Sequence, residues 1–353
     1  MLTPMLGQHI VPVRPGHGFD AETLARYLAP RLAGFDTPLT IRQFAGGQSN
    51  PTFLLETSAG LRAVLRKKPP GDLLPSAHAI EREFRVMSAL SAQGLPIANP
   101  LLFCEDGSLI GTVFYVMDFV EGRIFRDLTL PGLEPAERGA VYQAMAATLA
   151  RLHTLDPAAA GLAQYGRPGN YLERQITRWS AQYLASTRDP LPDMRQLMNR
   201  LPSRIPGGET AAIVHGDFRL ENLIFHPAEP RVTAILDWEL STLGHPLADL
   251  AYNCMPYHLA HGGYSGLRGL DLAALGIPAE SSYLDAYCRL AGRDTIPGWP
   301  FYVAFALFRM AAIAQGVYAR SLGGNASSDT AAGFAETAGT LAARAREVLE
   351  TGA

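Results

Sequence analysis

The chain has 353 residues, 48% of them apolar, which is enough for a sizeable core and excludes a disordered chain. Its formal net charge of −3 gives no basic excess, so nucleic acid is not an expected partner. Three scattered cysteines (Cys104, Cys254, Cys288) form no CxxC, and the N-terminus lacks a basic segment followed by an apolar run. Reduced thiols and a cytoplasmic location are therefore expected.

In chain order, "LTIRQFA", "PTFLLETS" and "LRAVLRKK", within residues 39–68, alternate and carry β-branched or aromatic side chains, so they read as strands joined by tight turns. Residues 76–94 have apolar side chains at helical spacing, with Ser76 a candidate cap and Gly94 a candidate stop. "NPLLFCED" and "GTVFYVMDFVEG" read as two more strands around a turn at Asp106-Gly107. After Gly122 long Ala- and Leu-rich helical stretches dominate, at roughly 134–155, 170–187, 278–291, 298–321 and 328–350, with only short strands in 211–240. Residues 301–319 are the most apolar long stretch, but Arg309 and Gln315 interrupt it, so a buried core helix is expected rather than a membrane span. The fold class expected is α+β, with a small antiparallel-sheet lobe at 1–122 and a larger helical lobe at 123–353.

The stretch "IVHGDFRLENLIF" places Asp217 and Asn222 five residues apart between two short apolar runs, and Asp237 follows fifteen residues later in "VTAILDWE". Taken singly, these are turn and capping residues. Together they match a phosphoryl-transfer set: one carboxylate to accept the proton of an attacking hydroxyl, an amide oxygen and a second carboxylate to hold Mg²⁺ against nucleotide phosphates. No GxxxxGK[ST] is present, "GGYSGL" misses GxSxG by one position, and there is no HExxH, so a P-loop, a hydrolase elbow and a zinc protease are not supported.

On "HGDFRLENLIF" and "ILDWELSTLGHPLADLAY" the chain resembles the aminoglycoside phosphotransferase family, of protein-kinase-like fold. "GGQSNPTFLL", "VLRKKPPGDLLPSAH" and "GRPGNYLERQITRW" narrow the likeness to the kinase-type domain fused to acyl-CoA dehydrogenases in animals. The resemblance implies a two-lobe kinase-like fold and an enzyme that transfers the ATP γ-phosphoryl group, with Mg²⁺, to a small-molecule hydroxyl. Asp217 would be the base, Asn222 and Asp237 the metal ligands, and His215 and Asp249 structural supports of the loop. Gly46, Gly47, Gln48, Ser49 and Asn50 would cover the phosphates, with Arg66 standing where the family often has Lys, and Glu83 its ion-pair partner. Arg66 and Lys67 must point to opposite faces of their strand. Adenine would meet backbone groups around Met117 and Phe119. His-Gly-Asp for His-Arg-Asp and Asp-Trp-Glu for Asp-Phe-Gly are departures from protein kinases and argue against protein substrates.

Residues 167–204 carry seven arginines against Glu173, Asp189 and Asp193. Arg174 and Arg178, four apart, share a helix face that is either solvated or an acceptor site for an anion. A basic pocket suits an anionic acceptor, and the resemblance to the domain fused to acyl-CoA dehydrogenases implies a hydroxyacyl-CoA-like one. The alternatives are an aminoglycoside or amino-alcohol kinase, and a nucleotide-binding pseudokinase serving as a regulatory module. Against the pseudokinase, all three polar residues Asp217, Asn222 and Asp237 are present. No membrane partner is expected.

Overall fold

A computed structural model describes residues 10–35, 38–45, 50–69, 79–167, 169–208, 210–262, 265–321 and 328–352. Gly46, Gly47, Gln48 and Ser49, expected to cover the phosphates, lie outside the described residues, as does Ser76.

The first half of the chain forms β1 (Ile10–Val11), α1 (Ala21–Leu28), β2 (Leu39–Phe44), β3 (Thr52–Thr57), β4 (Arg62–Lys67), α2 (Ile80–Ala92), β5 (Pro100–Cys104) and β6 (Phe114–Asp118). Then come α3 (Pro135–Thr154), α4 (Tyr171–Ser186) and α5 (Pro192–Arg200). Short strands β7 (Ala212–Val214), β8 (Leu223–Phe225), β9 (Val232–Ile235) and β10 (Thr242–Gly244) follow. The chain ends with α6 (Pro246–Cys254), α7 (Leu272–Leu275), α8 (Glu280–Ala291), α9 (Trp299–Arg320) and α10 (Ser328–Thr351). The fold is α+β and kinase-like, with a six-stranded antiparallel sheet first and helices dominating afterwards.

The molecule divides into two compact units. The first holds the chain as far as Arg126 together with Ala160–Leu162 and Leu220–Ser241; the second holds the rest. The two-lobe expectation had placed the Asn222 and Asp237 segment with the helical lobe. In the structure it joins the sheet-bearing unit, because Ile97 bridges to Ile235 and Arg123 to Phe225 on the β8–β9 hairpin. Gly122 is a requirement of that docking, since a Cβ there would collide with the Phe225 carbonyl.

In the first unit the strand order is β1-β2-β3-β4-β6-β5. Alternation sorts the side chains: Phe53, Leu55, Ala63, Leu65, Phe114 and Val116 share a core with Leu24 and Leu28 of α1. Lys67 belongs to that face, its ammonium 5.0 Å from the Phe19 ring centroid. Arg66 faces the other way, paired across the ladder with Tyr115, toward α2. α2 buries Ile80, Glu83, Val86, Met87 and Leu90, one stripe at helical spacing that includes a carboxylate. The short helix α1 was not foreseen, although its signal is in the sequence: Asp20 caps it, accepting the Thr23 N–H at 3.0 Å.

In the second unit α9 is buried on nearly every side and packs against α4, α6 and α10. It is long and apolar enough to cross a membrane by length and composition, but 78% of that apolar stretch is buried within the protein. It is the core helix of its unit. The three cysteines are free and buried.

Candidate active site

Each unit carries one group of site residues. In the second unit, β7 pairs antiparallel with β10 and releases the chain at His215. Gly216 turns it with φ +85°, a conformation glycine adopts without the Cβ penalty. The loop 215–218 is then held by one face of α6. Asp249 accepts the His215 N–H at 2.7 Å and the Gly216 N–H at 2.9 Å. Three residues on, the Tyr252 hydroxyl donates to Asp217 Oδ1. Four on from Asp249, Asn253 Nδ2 donates to the Phe218 carbonyl at 3.2 Å. Spacings of three and four put these side chains on one stripe of the helix. The buried His215 ring accepts the Asp217 N–H on Nδ1 at 3.2 Å.

Asp249 is itself buttressed by His153 of α3, whose Nε2 lies 3.2 Å from Oδ2 while its Nδ1 meets the Tyr287 hydroxyl at 2.8 Å. Burial pushes the Asp249 carboxyl up, but the hydrogen bonds and attraction of His153 and His215 outweigh it and leave the group below its usual value. Asp217 keeps 18% of its side chain exposed, and Arg219 Nε stands 3.5 Å from its Oδ1.

From α9, Arg309 Nη2 donates to the Gly216 carbonyl at 2.7 Å. Its guanidinium lies 5.3 Å from the Tyr252 ring centroid and 5.6 Å from that of Trp179 on α4. Arg178 sits 5.4 Å from the same Trp179 ring. Burial is the main cause that raises the Tyr171 phenol, and the charges of Arg309, Arg178 and Arg174 pull against it. Arg174 also donates to the Arg167 carbonyl at 2.7 Å. Among the described residues neither Arg178 nor Arg309 is paired with a carboxylate.

In the first unit, β8 and β9 pair Leu223 with Ile235, and Asn222 accepts the Leu236 N–H at 2.8 Å, so the hairpin brings Asn222 beside the residue before Asp237. Asp237 has φ 63°, the left-handed region that Asp tolerates better than most residues. Arg66 connects this turn to α2: its Nε is 3.0 Å from Glu83 Oε2, and its Nη2 is 2.9 Å from Asp237 Oδ1 and 3.6 Å from Glu239 Oε2. Burial would lower the Arg66 pKa, but these carboxylates raise it further, so it is a permanent cation. Glu83 is 1% exposed and also accepts from Asn50 Nδ2 at 2.8 Å and the Tyr115 hydroxyl at 3.0 Å. Burial raises its pKa against the pull of Arg66. Met117 is buried near the end of β6, and Phe119, one residue beyond the strand, lies under the Arg62 guanidinium at 4.4 Å.

The donor set at Asn222 and Asp237 consists of hard oxygens, and the Asp237 side chain is 34% exposed, which suits a Mg²⁺ held by one or two protein groups and completed by phosphate oxygens and water. Among the described residues no group of three or more His, Cys, Asp or Glu side chains could hold a metal ion. Sequence reasoning missed Tyr252, Asn253 and Arg309. The spacing of Asp249, Tyr252 and Asn253 was a readable signal for the first two; nothing local marks Arg309 beyond its being a charge in an apolar helix.

The second unit thus carries a positioned carboxylate on a braced loop, and the first unit carries a carboxylate and an amide on a hairpin beside a buried arginine–glutamate pair. The chain belongs to the phosphotransferase enzyme family, whose model matches residues 40–302. It is 47% identical over 340 residues to human acyl-CoA dehydrogenase family member 11, a match covering 94% of this chain and 43% of that protein. It is 48% identical over 323 residues to mouse acyl-CoA dehydrogenase family member 10, covering 91% of this chain and 30% of that one. The chain thus spans less than half the length of these curated relatives. Among solved structures, a provisionally assigned aminoglycoside phosphotransferase from Ralstonia eutropha JMP134 superposes with a TM-score of 0.87 at 47% identity, covering 94% of this chain and 99% of that one.

Proposed function

We propose that this protein transfers the γ-phosphoryl group of ATP to a hydroxyl on an anionic acyl metabolite, with hydroxyacyl-CoA esters as the leading substrate class. Asp217 is assigned as the base that takes the hydroxyl proton. Asn222 and Asp237 are assigned to Mg²⁺, which when bound neutralises charge on the phosphates. Arg66, held by Glu83, is assigned to the nucleotide phosphates together with the 46–50 segment, and Met117 and Phe119 to adenine.

The observation that carries the acceptor class is the pair of guanidiniums, Arg178 and Arg309, that both lie within 5.6 Å of the Trp179 ring centroid with no carboxylate partner among the described residues, one of them bound to the Gly216 carbonyl next to Asp217. Unneutralised arginines favour a phosphate or carboxylate and repel a polycation. The acyl-CoA dehydrogenase relatives support the same class, since their names attach this type of domain to acyl-CoA chemistry. The test is ADP release from Mg·ATP with a panel of hydroxyacyl-CoA esters, hydroxy acids, choline and kanamycin-type aminoglycosides. Turnover of the CoA esters is expected. Efficient turnover of the cations alone would overturn the acceptor assignment while leaving the phosphotransferase chemistry intact.

A further inference from the structure

A carboxylate that acts as a base must present one particular oxygen, yet the terminal torsion of Asp is broad and nearly two-fold, so the backbone alone does not choose it. In this protein one contact on that carboxylate comes from outside the loop. The Tyr252 hydroxyl donates to Asp217 Oδ1. Tyr252 is 6% exposed. Burial, with the neighbouring Asp217 charge adding to it, holds its pKa well above that of an ordinary phenol, so it stays a donor. The Arg309 guanidinium lies 5.3 Å from the Tyr252 ring centroid and is anchored in turn by the Gly216 carbonyl at 2.7 Å. One guanidinium therefore ties the backbone before Asp217 to the side chain that grips Asp217.

We infer that Tyr252 is a positioning residue for phosphoryl transfer: by donating to Oδ1 it fixes the rotamer of Asp217. This rests on the reading of Asp217 as the base. In the step itself the acceptor oxygen bonds to the γ-phosphorus, the bond from that phosphorus to the bridging oxygen breaks to release ADP, and the hydroxyl proton passes to the Asp217 carboxylate. Misplacing a base without removing it costs rate and not affinity, because neither substrate loses a contact in its ground state.

The experiment uses the full chain and the variant Tyr252→Phe, which keeps the ring and its packing against Arg309. The expected result is a fall in kcat of about 10- to 100-fold, with KM for ATP and for the acceptor each within about twofold of wild type. A second measurement does not depend on activity. A buried hydroxyl proton shared with a carboxylate gives a far-downfield proton resonance; it should be present in the wild type and absent from both Tyr252→Phe and Asp217→Ala. A missing resonance, or a kcat within twofold of wild type, overturns the role of Tyr252. If the resonance behaves as expected but the wild type transfers no phosphoryl group to any hydroxyl acceptor, the contact stands and the assignment of Asp217 as base is what fails, taking the catalytic role of Tyr252 with it.

Discussion

Replacing Asp249 by Asn tests the bracing of the 215–218 loop. Three donors converge on this buried carboxylate: the His215 N–H at 2.7 Å, the Gly216 N–H at 2.9 Å and His153 Nε2 at 3.2 Å. An amide of the same shape keeps one acceptor oxygen and turns an NH₂ group toward donors, so at least one buried N–H loses its partner. That costs about 1–3 kcal/mol, and weakening the remaining charge-assisted bonds brings the total to about 3–5 kcal/mol. At roughly 2–4 °C per kcal/mol for a unit of this size, the melting temperature should drop by about 10 °C near neutral pH. The pH dependence has a definite sign. The folded Asp249 carboxyl lies below its usual value of 3.8, so its stabilisation is complete above the unfolded value and is lost as pH falls through the lowered folded one. The melting difference between wild type and Asp249→Asn should be flat above about pH 5 and shrink below about pH 4. Thermal unfolding followed by circular dichroism across that range is the assay. A variant that melts within about 2 °C of wild type, or a difference that widens on acidification, would refute the reasoning.

Asp217→Ala should lower phosphoryl transfer by about 10²- to 10⁴-fold while Mg·ATP still binds, checked by single-turnover kinetics beside nucleotide titration. Asp237→Ala should instead weaken nucleotide binding in a metal-dependent way, and calorimetry with and without Mg²⁺ reads it directly; equal metal dependence in both proteins would remove Asp237 from the site. The double variant Arg174→Ala with Arg178→Ala should raise the KM of a hydroxyacyl-CoA acceptor by about tenfold with ATP affinity unchanged, since losing charge-assisted contacts to an anion costs about 1.5–3 kcal/mol. An unchanged acceptor KM would mean that the α4 arginines do not meet the acceptor.

Local patterns were enough for much of this protein. Alternation and tight turns announced β2 to β6, and helical periodicity announced α3, α4, α8, α9 and α10 to within a few residues, because those signals come from which face of one element must be buried. The spacing of Asp217, Asn222 and Asp237 is what made phosphoryl transfer the expectation, because that chemistry calls for its groups on short loops. The opposite facing of Arg66 and Lys67 was also readable, since a strand leaves a side chain only two directions.

Tertiary structure decided what depends on elements distant in sequence. It placed Glu83 and Asp237 on the Arg66 side of β4 and Phe19 on the Lys67 side. It moved the Leu220–Ser241 hairpin into the sheet-bearing unit through bridges to Ile97 and Arg123, contacts that no window of neighbouring residues contains. It brought Arg309 across 93 positions to the Gly216 carbonyl. A charge in an apolar helix reads locally as an interruption of the core. Only the packing of α9 against α4 and α6 shows that this guanidinium lies between the Trp179 and Tyr252 rings, at the turn that carries Asp217. Periodicity encodes which side of an element is buried, and packing alone decides which buried side meets which.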